Sequence, residues 1–400
     1  MGTEAGVGLS TETDSVSAAR AACRQALERA GAAVADWAVA FITSPHRPHF
    51  AAILGEIQKS LGTHFIAGCS ASGVLTGTEE VEGRPAVAVL AVRSDRIRAS
   101  TFFAPLGDET RGAAREVARQ IPDRRGGLMV LLPDPFAAPT DQLLHEIDRS
   151  APECEAIGAA ASGDPAMRGT FQFYGRNVAS RAIAGLHLGG NFWTAVGITQ
   201  GCQPLGPPAR ITSGDGNVIL ELDGRPAIEV LRSRLPAPLA DSLGKLGGHL
   251  FVGLPPDPGQ DAIVPGEYLV RNLVAIDEAR GALVVAAGVR QEEPLYFVLR
   301  EAHAAREDLK EMLRRVGQAA GGSARFGFYF NCAARGSSLY GMPGIDTAYI
   351  SSAFADLPII GFFGNAEIAP LRGRNHLFTH TGVLALIGDE ASAGSAGAVV

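Results

Sequence analysis

The sequence predicts an α/β protein (mixed α+β), in which duplicated β-α-β-plus-hairpin units form mixed sheets in two related halves. Three observations carry that expectation. A segment is written twice without a gap. At an offset of ninety residues Pro45 falls on Pro135, Glu56 on Glu146, Ile57 on Ile147, Ser60 on Ser150, Gly68 on Gly158 and Ser72-Gly73 on Ser162-Gly163. Self-similarity at a fixed period is the mark of one supersecondary unit copied along the chain. Within each copy, short apolar runs alternate with a helical pattern, the arrangement expected of strands buried on both faces. Finally, 49 glycines and 24 prolines spread along the chain predict many turns between short strands.

Residues 1–14 are polar and read as a disordered lead. Ser15–Gly31 is predicted as a helix, with Val16, Ala19, Cys23, Ala26 and Leu27 on one face and Gly31 as its C-cap. The run Trp37–Ile42, a helix at about Pro48–Leu61 and the run Phe65–Gly68 make the first β-α-β unit. Strands at Ala86–Val92 and Ile97–Phe103 follow, and a helix at Thr110–Ile121 closes that copy. The second copy runs through Leu128–Leu132, a helix near Thr140–Ser150 and a strand ending at Gly158. Strands at Thr170–Phe173, Ala182–Leu188 and Phe192–Ile198 come next.

A third, weaker copy is read from Phe326–Phe330, a helix at Ile345–Ala355 and Leu357–Gly361. From first strand to closing glycine the first two copies span 30 residues (Ala38 to Gly68, Leu128 to Gly158), and the third spans 35 (Phe326 to Gly361). The surplus falls in the loop Arg335–Gly344. Between the copies, Gly201–Gly216 reads as a Gly/Pro-rich connector, Asn217–Glu221 as a strand and Pro226–Leu235 as a short helix. Tyr268–Ile276, Ala282–Val289 and Leu295–Leu299 are expected to form an antiparallel meander, followed by an amphipathic helix at Arg300–Val316.

The formal net charge is −7 and no segment gathers Lys/Arg, so a nucleic-acid partner is not expected. Five cysteines with no CxxC spacing point to reduced thiols and no zinc knuckle. No apolar run approaches the ~20 residues of a membrane span. The first fourteen residues carry no apolar core of a secretory signal. A cytoplasmic protein without membrane attachment is the expectation.

Phe330-Asn331-Cys332-Ala333-Ala334-Arg335-Gly336, then Gly361–Pro370 and Thr381-Gly382-Val383-Leu384, resemble the FIST-domain family (F-box and intracellular signal transduction proteins). The segments Ile66–Gly73 and Ala156–Gly163 are similar to that family's N-domain. On this reading residues 15–215 form a FIST N-type domain with internal duplication and residues 216–388 a C-type domain, with 389–400 as a tail. The resemblance implies a sensory module for small ligands, with amino acids as the class. With no kinase, cyclase or receiver segment attached, it would signal through a separate partner protein. Some bacterial members are described as haem-dependent nitric-oxide sensors, which makes that the alternative function. No cofactor is indicated by the residues, and none of the nine histidines is assignable as a haem ligand.

The candidate binding residues lie where two parallel-type strands end, the usual ligand position in open α/β sheets. One end delivers Asn331, Cys332, Arg335 and Gly336; the other delivers Gly364, Asn365 and Glu367. Arg335 offers a planar fork for a carboxylate and Glu367 an acceptor for an ammonium, the pair a zwitterionic amino acid needs. In the structural alternative, Arg335 and Glu367 pair with each other. Cys332 is also a candidate nucleophile beside Arg335, with His376 and His380 the nearest bases in sequence. This would make the protein a Cys332-dependent enzyme; the principal expectation is non-catalytic. His376 and His380, on an extended segment, would stand ~13 Å apart and could not share a metal. The turns after Gly68 and Gly158 lack any phosphate-loop spacing and read as close packing.

Overall fold

The strand–helix–strand unit is present three times in the computed structural model, which describes residues 2–107, 109–122, 126–164, 169–240, 243–257, 259–264, 266–390 and 398–399. In the first copy Trp37–Thr43 and Ile66–Ala71 pair in parallel around the helix Phe50–Leu61. The second copy pairs Leu128–Pro133 with Glu155–Ala159 around Thr140–Ser150. The third pairs Phe326–Cys332 with Ile359–Gly364 around Ile345–Ala353. A return strand runs antiparallel to each first strand: Val87–Ser94, Ala182–Gly190 and Thr381–Asp389. Outside each return strand lies one more strand: Thr3–Ser10, Ile97–Pro105 and Phe192–Gln200. The mixed sheets that the repeat predicts are therefore observed, in three copies.

The copies are tied together by a cyclic exchange of hairpins. Gly73–Thr76 with Glu80–Glu82, from the first copy, adds to the edge of the third copy's Ile359–Gly364. The third copy's Glu367–Leu371, which precedes Arg374–Phe378, adds to the second copy's Glu155–Ala159. The second copy's Gln172–Tyr174, hairpinned to Asn177–Ala179, adds to the first copy's Ile66–Ala71. The open edge of each copy's second strand is covered by a neighbour's hairpin, which removes the pairing hazard at that edge.

One glycine recurs because of this register. Gly68, Gly158 and Gly361 face Ala40, Leu131 and Tyr329 on the parallel neighbour, and a Cβ there would stand 1.9, 2.0 and 1.7 Å from those residues' carbonyl oxygens. No side chain fits at that distance, so the matching glycine of each copy is required by the approach of two backbones.

Several expectations are corrected. The lead is not disordered: Thr3–Ser10 is a strand antiparallel to Val87–Ser94, with Val7 and Leu9 buried. It lies directly on the helix Ser15–Ala30, since a Cβ at Gly6 or Gly8 would meet the Ala26 or Ala22 carbonyl oxygen at 2.2 or 1.9 Å. Polarity hid a strand whose helix-facing residues Gly6 and Gly8 are glycines. The helix is capped as expected at Gly31 (φ 66°), and Asp14 caps its start by accepting from the Ser17 N–H. Helix Thr110–Gln120 opens the second copy rather than closing the first, because its preceding strand, Ile97–Pro105, pairs with Ala182–Gly190.

The chain packs as two units, residues 1–199, 309–377 and 381–400, and residues 200–308 with 378–380. The three copies make up the first unit, so the expected boundary at 215/216 does not follow the packing. The second unit interrupts the third copy between Phe192–Gln200 and the helix Ala302–Ala320. It is a closed ring of strands: Ala209–Asp215, Val218–Leu222, Ala282–Val285, Leu269–Asp277, Leu250–Leu254 and Pro294–Arg300, the last pairing back to the first. Ile211, Leu222, Leu231, Val252, Leu283 and Phe297 fill its core. The expected connector Gly201–Gly216 thus holds two strands, Cys202–Pro204 and Ala209–Asp215. The expected meander also breaks, because Pro294–Arg300 pairs with Leu250–Leu254 rather than with Ala282–Val285. Local propensity misses such strands; closure of the ring supplies their partners. Most of the expected tail, residues 391–397 and 400, lies outside the described residues.

Candidate functional site

Where the second strands of the copies end, their small-residue turns interlock. Ser70 Oγ donates to the Ser162 carbonyl (2.8 Å) and the Ser72 N–H donates to Ser162 Oγ (2.9 Å). Asn365 Nδ2 donates to the Ala161 carbonyl (2.6 Å), and the Ala160 N–H to the Ala366 carbonyl (2.8 Å). At Gly364 a Cβ would lie 2.6 Å from the Ala159 Cβ. Asn365 and Gly364, expected among the binding residues, are therefore engaged in turn-to-turn packing.

The third copy holds a buried ionic cluster. Arg335 is 1% exposed and Asp346 is fully buried. Their pairing is bidentate, with Nε to Oδ2 and Nη2 to Oδ1 both at 3.1 Å. Asp346 also accepts from Tyr329 Oη (2.8 Å), Asn331 Nδ2 (3.0 Å) and Tyr340 Oη (2.7 Å), while Tyr340 Oη accepts from Arg335 Nη2 (2.8 Å). Arg335 does not pair with Glu367, and that expectation is corrected. The carboxylate partner is Asp346, at the start of the helix Ile345–Ala353. Burial opposes the charge of both groups. Their mutual attraction overcomes it, raising the guanidinium above its usual range and lowering Asp346 below the usual carboxylate range, with the tyrosine hydroxyls adding to the second effect. Burial beside this carboxylate pushes the Tyr329 hydroxyl well up, so it stays a donor.

Glu367 arrives on the exchanged strand Glu367–Leu371 and is fully buried. Its Oε2 accepts from Thr381 Oγ1 (2.7 Å) and from the Thr381 N–H (3.3 Å). Burial pushes its carboxyl up to about 8, against the opposing pull of the Thr381 hydrogen bonds, the Arg335 charge and the Cys332 thiol. Of the buried side-chain atoms that make no conventional hydrogen bond among the described residues, three belong to this cluster: Asn331 Oδ1, Arg335 Nη1 and Glu367 Oε1, the last beside that thiol. Buried polar groups are nearly always paired, so a local concentration of exceptions marks a place built for something else.

Register shows why this copy alone carries the chemistry. The residue preceding the hairpin position opposite each closing glycine is Val74, Gln172 and Glu367. Six residues beyond Ala40, Leu131 and Tyr329 stand His46, Ala137 and Arg335. Only the third copy combines a guanidinium with a buried carboxyl. His380, weighed as a base for Cys332, instead packs its ring against Phe251 and faces Asn272 Oδ1 (3.2 Å) within the second unit. Among the described residues no group of three or more His, Cys, Asp or Glu could hold a metal ion. No helix is long and apolar enough to cross a membrane, again among the described residues.

Sequence reasoning missed Asp346, Tyr329 and Tyr340. A signal existed: a buried arginine demands a carboxylate, and Asp346 is the first acidic residue after Arg335. It read instead as an ordinary helix-start residue.

An uncharacterised protein of Mycobacterium tuberculosis is 31% identical over 390 residues, covering 96% of this chain and 99% of its own. One of Mycobacterium bovis is 28% identical over 386 residues, with shares of 96% and 99%. Two solved structures titled as cyanuric acid hydrolases, one from A. caulinodans, are 11% and 10% identical. They cover 98% and 97% of this chain and 100% of their own, with a TM-score of 0.31, at which likeness carries no argument. Residues 36–225 match the FIST N domain and residues 227–370 the FIST C domain. The chain therefore belongs to the FIST family, which is associated with signal transduction and small-ligand sensing.

Proposed function

We propose that this is a cytoplasmic sensory protein that reversibly binds a small, polar, amino-acid-like molecule at the strand ends of its third copy and signals through a separate partner. One observation carries the reading: Asn331 Oδ1, Arg335 Nη1 and Glu367 Oε1 are each buried without conventional partners, on residues linked through Asp346 and through the Arg335 charge felt by Glu367. Their donor pattern complements a zwitterion. Nη1 supplies N–H groups to a carboxylate, and the two oxygens accept from an ammonium. Asp346 is not part of that offer, since its oxygens are filled by Arg335, Tyr329, Asn331 and Tyr340. A bound ammonium favours ionised Glu367, so binding near neutral pH releases a proton. Ligand then stabilises one arrangement of the strand ends over others, which is what a partner reads.

The test is a thermal-shift screen of the twenty amino acids singly, followed by calorimetry of any hit in buffers of different ionisation enthalpy. The reading expects a stabilising hit, proton release, and loss of the response in Asn331→Ala and Glu367→Gln with the fold retained. No hit, or variants that respond like the parent, refutes it. Arg335→Ala is the wrong probe, because it strands Asp346 as a buried unpaired charge.

A further inference from the structure

The segment between Arg335 and Asp346 connects the end of the third copy's first strand to its helix, yet no residue from Ser337 to Ile345 is buried. Polar tethers hold it instead. Tyr340 pins it from within, its hydroxyl bonded to both Arg335 and Asp346. From outside it is held by the first copy's exchanged hairpin. Glu82 Oε1 accepts from the Ser337 N–H (3.0 Å) and Oγ (2.9 Å). Glu80 accepts from the Gly344 N–H (2.7 Å) and the Thr347 N–H (3.1 Å). Gly336, Gly341 and Gly344 have φ of 55, 74 and 83°, so the chain reverses at both ends where only glycine turns freely. A stretch with few apolar contacts, anchored by separable hydrogen bonds, opens at far lower cost than the strands beneath it.

We propose that residues 336–345 form a gate over the third-copy site, latched by Glu80 and Glu82 of the first copy and pinned by Tyr340. The latching carboxylates come from a different copy than the site, so opening the gate frees the hairpin's contacts and passes occupancy along the chain to the first copy's Ile66–Ala71, which the hairpin follows. The gate deepens the amino-acid-binding reading and rests on it for its purpose, though its mechanics can be tested without any ligand.

Hydrogen–deuterium exchange on the whole chain is the experiment. In the ligand-free protein, amides of 337–347 exchange faster than those of Phe326–Cys332. They quicken by about tenfold or more in Glu80→Gln/Glu82→Gln, and separately in Tyr340→Phe, with the strands unchanged. Unaltered exchange of 337–347 in both variants overturns the gate. With the twenty amino acids as probes, protection centred on 337–347 supports it, and a binder that leaves this segment unprotected overturns it. If the variants quicken the segment and no amino acid binds, the gate stands while the amino-acid reading falls.

Discussion

Raising the pH should weaken the first unit through Glu367. In the folded chain this carboxyl is pushed up to about 8 by burial, against an ordinary value of 4.5. The folded state therefore keeps a proton that the unfolded chain releases. Its contribution is fully present below about pH 4.5, is lost as pH rises toward about 8, and is constant above that. Across that window, at about 1.4 kcal/mol per pH unit, the loss is about 5 kcal/mol. Urea unfolding followed by tryptophan fluorescence reports this unit alone, because both tryptophans, Trp37 and Trp193, lie in it. Glu80, Asp148 and Glu155 are raised by burial in the same direction, so the wild-type curve alone does not isolate Glu367. The informative quantity is its difference from Glu367→Gln, which keeps a neutral acceptor for Thr381 and cannot ionise. That variant should gain on wild type by several kcal/mol between about pH 5 and about pH 9. Parallel curves for the two proteins would refute the burial argument.

Three further outcomes follow from the packing. Arg335→Ala should cost about 3–5 kcal/mol, and adding Asp346→Ala should cost much less than a second, independent loss, because the stranded charge is then gone; additive losses by urea unfolding would deny the pair. Gly361→Ala should cost about 3 kcal/mol or more, or prevent soluble expression, since its Cβ would stand 1.7 Å from the Tyr329 carbonyl oxygen. Gly341→Ala, with nothing within 4 Å of its Cβ, should pay only the ~1–2 kcal/mol of a left-handed backbone.

Much of the architecture was legible in the sequence. The ninety-residue echo, and the fainter one ending at Gly361, identify a copied strand–helix–strand unit, because the same backbone crossing demands the same glycine each time. Apolar runs locate the paired strands, and the Asn331–Arg335 and Gly364–Glu367 segments lie at their ends. The lead was not legible, because the residues it turns to the helix, Gly6 and Gly8, have no side chain to announce burial and leave only Val7 and Leu9 as an apolar signal. Nor were the barrel strands near Gly201–Gly216, whose partners are remote in sequence.

Which copy receives which hairpin, and hence which side chains meet, was decided only by tertiary packing. Arg335 found Asp346 rather than Glu367 because the helix start swings beneath the loop, while Glu367 leaves on a strand added to another copy's sheet. Periodicity is a local property of the chain, and it fixes elements. Pairing between charges depends on how separate elements converge in a medium that cannot solvate them, and only the folded arrangement specifies that.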